Sequence, residues 1–201
     1  MSPRTKAQLE AVKEAAREKI LDAGLLLFAR QGVAATGVTE IAREAGVSLG
    51  LLYHYYASKE ELFAALVKMA MEGAKETLAA CQEAGTAAEQ IREISRLACG
   101  VLRRENQTAY YFLLLIQAGL AGLSPGAQGG DLFKGADVGA PFRMLQSLIQ
   151  EGQTQGMVKA GEPWQLAQLY WAAFQGLCLY KITMRGFLPP EPEQMDGILL
   201  L

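Results

Sequence analysis

Histidine is nearly missing from this 201-residue chain, with His54 the single copy. That removes His-based metal clusters and most Ser–His or Cys–His nucleophile arrangements. Cysteine is scarce as well. Cys81, Cys99 and Cys178 are odd in number, widely separated and without a C-x-x-C pair. They read as reduced thiols packed in helices, with a redox-sensing thiol the lesser alternative, and not as a disulfide framework or zinc site. Neither charge sign dominates, since the net charge is −2. Residues 1–70 hold nine Lys/Arg against eight Asp/Glu, and residues 71–201 hold ten against thirteen. That asymmetry is too small to announce a nucleic-acid binder, so any attraction for phosphate must come from a few placed cations and backbone N–H groups.

Long hydrophobic runs are also lacking. The most apolar stretch, Tyr110 to Ile116, is far too short to cross a bilayer and meets Gln117 at once. The charged N-terminus does not read as a signal peptide, so a soluble, cytoplasmic protein with no membrane partner is expected. Carboxylates fall on charged helix faces at salt-bridge spacing, as in Glu40/Arg43-Glu44 and Glu89/Arg92-Glu93. No carboxylate pair sits in an apolar setting, and no glycine-rich loop joins a strand to a helix. Neither an enzyme nor a bound metal or cofactor is expected.

What the chain does have is helix-forming sequence. Apolar residues make up 51% and charged residues 20%, an ordinary globular balance. No stretch alternates with period two, so the expected class is all-α. The most informative segment is Thr36 to Leu62, TGVTEIAREAGVSLGLLYHYYASKEEL. Val38, Ile41, Ala42 and Ala45 give the apolar face of one short helix. Gly46 supplies a tight corner, and Ser48 is suited to cap a second helix, Leu49 to Tyr56. Two short helices across such a corner form a helix-turn-helix, whose second helix lies in the DNA major groove. Leu52 and Tyr56 plug inward; Ser48, Leu49, Gly50, Tyr53, His54 and Tyr55 are left facing out. Gly50 costs about 1 kcal/mol relative to Ala inside a helix, which makes sense where something large approaches the backbone. Ser58-Lys59-Glu60-Glu61 is a capping box for the next helix, and Lys59 in its first turn opposes the helix dipole, which suggests an outside anion.

The string IAREAGVSLGLLYHYYASKEEL resembles the DNA-binding signature of the tetracycline-repressor (TetR) family, through Thr36, Ile41-Ala42, Ala45-Gly46-Val47-Ser48, Gly50, Leu52-Tyr53, Tyr55-Tyr56, Lys59-Glu60 and Leu62. Tyr56 is a mild departure, since family members usually carry Phe there. The close match covers roughly Lys19 to Val67. The resemblance implies a homodimer that reads palindromic operator DNA and responds to a small molecule held in a C-terminal helical domain.

The expected layout is a helix-turn-helix DNA-binding domain over 1–57 and a helical effector-binding and dimerisation domain over 58–201. A first helix from about Thr5 to Arg30 has Leu9, Val12, Ala16, Ile20, Ala23, Leu26, Leu27 and Phe28 inward. Its basic start (Arg4, Lys6, Lys13, Arg17) reads as a solvated end, with nearby phosphate or minor groove as the alternative. A long helix from Ser58 to about Ala84 is shared by both domains. Helices to about Arg104, over Tyr110–Ile116 (expected buried nearly all round), over 140–155 and over 163–184 follow, and a terminal helix spans 193–201. Residues 122–139 hold six of the 21 glycines and read as a long functional loop carrying Phe133.

The expected DNA contacts are Thr36, Tyr53, Tyr55 and Lys59 to phosphate and Ser48, Leu49, Gly50 and His54 at base edges. An effector cavity for a largely apolar, small or aromatic ligand is placed at Arg96, Cys99, Tyr110, Tyr111, Phe112, Gln117, Phe133, Phe142, Trp171, Phe174 and Gln175. Arg96, if it faces inward, would pair with a carboxylate or phenolate. The dimer face is placed on the last two long helices at Leu145, Leu148, Gly152, Leu169, Ala172, Ala173, Gly176 and Tyr180. The rival readings are a helical module of the same shape answering to a protein partner and a small-molecule-binding enzyme.

Overall fold

A computed structural model of the chain describes residues 6–83, 85–104, 107–122 and 139–201. The described residues form nine helices: α1 Lys6–Ala35, α2 Val38–Glu44, α3 Leu49–Tyr55, α4 Lys59–Cys81, α5 Ala87–Arg103, α6 Gln107–Gly122, α7 Ala140–Thr154, α8 Pro163–Thr183 and α9 Pro192–Asp196. A lone antiparallel bridge, Val158 with Leu200, is the one β feature among them. No helix among the described residues is long and apolar enough to cross a membrane. Most of the expected loop at 122–139 and its Phe133 lie outside the described residues.

Two compact units share the chain. The first holds residues 1–68 and 116–134, the second 69–115 and 135–201. The division into these units falls inside α4, after residue 68. The reason is packing: Leu62, Phe63, Leu66 and Val67 are buried, and Phe63 sets its ring edge-on to Phe28 of α1 at 5.6 Å. A Cβ on Gly24 would lie 2.8 Å from the Leu62 side chain, so α1 and α4 pack closely at that point.

α1 runs past the expected stop. Gly32 takes φ 81°, ψ 161°, and the helix continues beyond that kink to Ala35. Ile20, Leu21, Ala23, Leu25, Phe28 and Ala29 are buried, with Leu26 and Leu27 half-buried, whereas Val12 is 48% exposed. Lys13 and Arg17 pair with Glu10 and Glu14 on exposed faces, where such pairs contribute little.

The second unit has its own core. Ile91, Ile94, Ala98, Cys99 and Leu102 of α5 pack with Leu145, Leu148 and Ile149 of α7, Tyr170, Phe174 and Cys178 of α8, and Met195, Leu199 and Leu200 at the C-terminal end. One buried polar pair sits inside it, with the Ser95 and Tyr170 hydroxyls 2.9 Å apart. Burial pushes the Tyr170 phenol well above its ordinary range and the Cys178 thiol up to about 12, so both stay neutral. All three cysteines are free and buried.

Two expectations fail here. The terminal helix stops at Asp196; beyond it the chain turns and lies along 157–159, with Lys159 N–H donating to Leu199 O at 2.8 Å and Leu201 N–H to Met157 O at 3.3 Å. Leu199 and Leu200 are needed in the core, and that bridge points them there. Within the apolar stretch of α6 only Tyr110 and Leu114 are buried, leaving Tyr111, Phe112, Leu113, Leu115 and Ile116 half-buried.

Candidate functional site

The corner between α2 and α3 follows from three residues. Gly46 adopts φ 64°, the left-handed conformation that a side chain resists. Ser48 is extended at φ −71°, ψ 150°, and its Oγ accepts from Leu51 N–H at 3.2 Å, starting α3 with one of its orphan donors met. Leu52 then plugs fully inward. On the opposite side Leu49 is 40% and Tyr53 49% exposed, with Ser48, Gly50 and His54 also exposed. A Cβ on Gly50 would meet no atom within 4 Å, so the helix is open to an outside surface at that point. These five residues form one uncharged face carrying hydroxyl, imidazole and aliphatic groups.

Three of the expected DNA contacts are employed elsewhere. Thr36 is 1% exposed, and its Oγ1 donates to Gly32 O at 2.7 Å. It closes the α1 kink and has no surface to offer a phosphate. The Lys59 ammonium donates to the carbonyls of Val33 at 2.8 Å, Ala34 at 3.3 Å and Thr36 at 2.9 Å. A cation in the first turn of α4 is thus compensated by the C-terminal carbonyls of α1, which carry the negative end of that helix, without an outside anion. Tyr55 is half-buried, and its hydroxyl donates to Lys13 O at 2.9 Å, tying α3 to α1. Tyr56 is buried, and burial pushes its phenol up against the opposing charge of Arg17.

Arg43 emerges as a candidate the spacing argument hid. Its expected partner Glu40 accepts instead from Gln31 Nε2 at 2.8 Å. Arg43 is left exposed in the last turn of α2, with no salt bridge among the described residues. The clue available in sequence was position: a cation at the corner of the two helices outweighs its carboxylate spacing.

In the second unit part of the expected ligand wall comes together. Phe112 meets Phe174 edge-on at 4.7 Å, and Trp171 lies 6.0 Å from both Phe174 and Phe142. Cys99 and Tyr110 are buried, and Tyr111 and Gln175 half-buried. The Trp171 indole nitrogen is buried without a hydrogen-bond partner. Two of the polar residues do not join the rings. Arg96 is exposed and directs its Nε to Glu93 at 2.7 Å, so it faces solvent. Gln117 falls in the first unit, where its Nε2 donates to Phe28 O at 2.8 Å.

A shallow hollow of about 370 Å³ opens elsewhere in this unit, lined by Leu102, Arg103, Lys181, Met184, Gly186, Phe187 and Pro189. Its cations are engaged: Lys181 donates to Leu102 O at 2.7 Å and to Arg104 O, and Arg103 pairs with Glu191 at 2.5 Å. No group of three or more His, Cys, Asp or Glu suited to a metal ion occurs among the described residues.

The proposed dimer face divides. Leu145 and Leu148 are buried in the core of the second unit, and a Cβ on Gly152 would lie 2.4 Å from the Val158 side chain. Those three α7 residues serve internal packing, contrary to the expectation. On α8, Leu169 is 60% and Tyr180 52% exposed, Ala172 is exposed, and Ala173 and Gly176 are half-buried. Leu179 and Met184 extend it at 46% and 53% exposed.

Comparison with known proteins adds the following. Residues 20–66 match the family of bacterial regulatory proteins, tetR family. The HTH-type transcriptional regulator BetI of Rhizobium meliloti (strain 1021) is 35% identical over 82 residues, 40% of either chain. The HTH-type transcriptional repressor KstR2 of Mycobacterium tuberculosis is 42% identical over 52 residues, 26% of either chain. The chain thus spans less than half the length of the curated relatives it matches. Among solved structures, the ketosteroid transcriptional regulator KstR2 of Mycobacterium tuberculosis superposes with a TM-score of 0.69 at 17% identity, over 92% of this chain and 95% of that one. AibR in complex with isovaleryl coenzyme A and operator DNA gives 0.66 at 20% identity, over 91% and 94%. Identities this low speak for the fold alone.

Proposed function

We propose that this chain, whose residues 20–66 match the tetR family of bacterial regulatory proteins, is a ligand-responsive transcriptional regulator, a repressor that binds palindromic operator DNA as a homodimer and is released by a largely apolar small molecule. The observation that carries the reading is the outward face of α3, where Leu49, Gly50, Tyr53 and His54 are exposed around a glycine with open space beyond it. An uncharged face of that kind suits base edges, with Leu49 fit for a thymine methyl, while phosphate falls to the Tyr53 hydroxyl and to Arg43. Thr36, Tyr55 and Lys59 hold the reader in shape. Two copies on a dimer read half-sites roughly 34–36 Å apart or a little more.

Dimerisation is assigned to the exposed α8 stripe Leu169, Ala172, Ala173, Gly176 and Tyr180, joined by Leu179 and Met184. The effector wall is assigned to Phe112, Phe142, Trp171 and Phe174, whose rings carry no charge. The AibR complex with isovaleryl coenzyme A and operator DNA supports a pairing of ligand and DNA sites on this fold. Ligand release needs only a differential affinity between two states, typically about 1–3 kcal/mol.

The test is duplex binding by fluorescence anisotropy, using DNA selected from a random pool against the full-length protein. Affinity should fall steeply and log-linearly with salt, and Tyr53→Ala should weaken it about tenfold, the worth of one hydrogen bond to a charged oxygen. No enriched duplex, or binding indifferent to salt, would sink the reading.

A further inference from the structure

Two neighbouring residues of α8 bring polar groups into the ring cluster of the second unit, and only one of those groups is met. The Tyr170 hydroxyl lies 2.9 Å from Ser95 Oγ, so that pair is closed. Trp171 is 9% exposed, and its Nε1 is buried with no hydrogen-bond partner among the described residues. An indole nitrogen can only donate, and a buried donor left unmet is costly and rare. Packing alone does not call for it. A phenylalanine would supply a ring at this position without the orphaned N–H.

The surrounding rings run from core to surface. Trp171 lies 5.8 Å from Tyr170, 6.0 Å from Phe174 and 6.0 Å from Phe142, which in turn lies 6.0 Å from Trp164. Phe174 is buried, Phe142 half-buried and Trp164 38% exposed. A molecule that packs on Phe142 from the solvent side is therefore next to the Trp171 ring.

Charge is missing from the same helices. α6 carries no charged side chain, and α8 carries none from Pro163 to Tyr180. Lys181 lies ten residues beyond Trp171, about 15 Å along the axis, and donates to the Leu102 and Arg104 carbonyls. Arg143, beside Phe142 on α7, is exposed, and Arg96 faces solvent with Glu93. A carboxylate brought to Trp171 would gain one hydrogen bond and no counter-charge, at a heavy desolvation cost. A neutral oxygen gains the same bond without that cost.

We propose that the Trp171 indole N–H is the specificity-determining donor of the effector wall, and that the effector is an apolar molecule bearing a neutral carbonyl oxygen. The proposal rests on the effector reading above and names the chemistry of that ligand. One placed polar group among rings is enough to orient an apolar molecule and to reject its hydrocarbon analogue.

Three probes of one shape test it: acetophenone, α-methylstyrene, in which a methylene replaces the carbonyl oxygen, and benzoate. Each is titrated into the 15N-labelled full chain. The chain has two tryptophans, so Trp164→Phe identifies the Trp171 indole N–H resonance. Acetophenone should move that resonance downfield and bind about tenfold tighter than α-methylstyrene; benzoate should leave it in place. In Trp171→Phe the two neutral probes should bind within about twofold of each other, and if that variant fails to fold the wild-type comparison still decides. Equal affinity for the ketone and the hydrocarbon in wild type, a stronger response to benzoate, or a resonance unmoved by all three would each overturn the proposal. Duplex binding is measured on the same protein without probes. No duplex binding beside a ketone-specific shift would sink the regulator reading and leave the donor standing; duplex binding beside an unmoved resonance would do the reverse.

Discussion

α3 and α8 both leave apolar side chains in water, and they do so differently. α3 has seven residues and a single fully buried plug, Leu52; Ser48, Gly46 and the Tyr55–Lys13 hydrogen bond supply the rest of its placement. Its exposed set mixes Leu49 with a hydroxyl, a phenol and an imidazole. α8 has 21 residues and buries Ala167, Tyr170, Trp171, Phe174 and Cys178, so its inner face alone holds it. Its exposed stripe is aliphatic or aromatic at Leu169, Leu179, Tyr180 and Met184, with Ala172 and Gly176 between. The lesson is about partners. A face with hydrogen-bonding tips at fixed positions suits the polar edges of a groove, whereas an apolar stripe with small residues suits a close-packed helix like itself.

The largest effect should come from breaking the α8 side. Leu169→Glu places a carboxylate in the proposed two-fold contact, where an unpaired buried charge is costly. Leu169 is 60% exposed in the protomer, so the fold itself should change by no more than about 0.5 kcal/mol. Sedimentation should show a monomer, and duplex affinity should drop by about a hundredfold or more as the second half-site loses its tether. A dimer that persists with unaltered affinity would move the interface off this stripe.

A smaller effect sharpens the α3 side, by separating residues that touch DNA from residues that hold the reader. Lys59→Met removes three hydrogen bonds to the last carbonyls of α1 and should cost about 1–3 kcal/mol, lowering the melting temperature by roughly 2–4 °C per kcal/mol for a chain of this size. The salt dependence of duplex binding should keep its slope. A flattened slope with unchanged melting would return Lys59 to the phosphate contacts.

These two cases also mark where sequence reasoning stops. The helix-turn-helix was legible because its signals are local: a glycine at the corner, a serine three residues before the donor it caps, and an apolar plug. The outward set Ser48, Leu49, Gly50, Tyr53 and His54 followed from the same periodicity. Lys59 and Tyr55 were not legible, since their acceptors lie 23–26 and 42 residues away in α1, and no local pattern announces a carbonyl that far off. The two apolar helices α7 and α8 were found, but their assignment was not. Gly152 looked like a residue for close approach of a partner chain, and the approach is made by the protein's own Val158. Gln117 was drawn into the ligand wall because it interrupts an apolar run, which says that an amide has a task but not on which side of the helix.

The smallest effect concerns how the two regions start their helices. α3 relies on a single bond from Ser48, but α5 opens with a reciprocal box in which Glu89 N–H donates to Thr86 Oγ1 at 3.3 Å and Thr86 N–H to Glu89 Oε2 at 2.7 Å. The Thr86 backbone N–H, followed by its hydroxyl, holds the Glu89 carboxyl below its ordinary value of 4.5. A group depressed in this way stabilises the fold above its unfolded pKa and loses that contribution as pH falls through the folded one. Thr86→Ala should therefore lower the melting temperature by about 1–3 °C at neutral pH, and the gap to wild type should narrow once pH drops below about 4.5. A gap that stays constant down to that range would mean the hydroxyl acts only by accepting from Glu89 N–H, its 3.0 Å bond to the Glu89 carboxylate adding nothing.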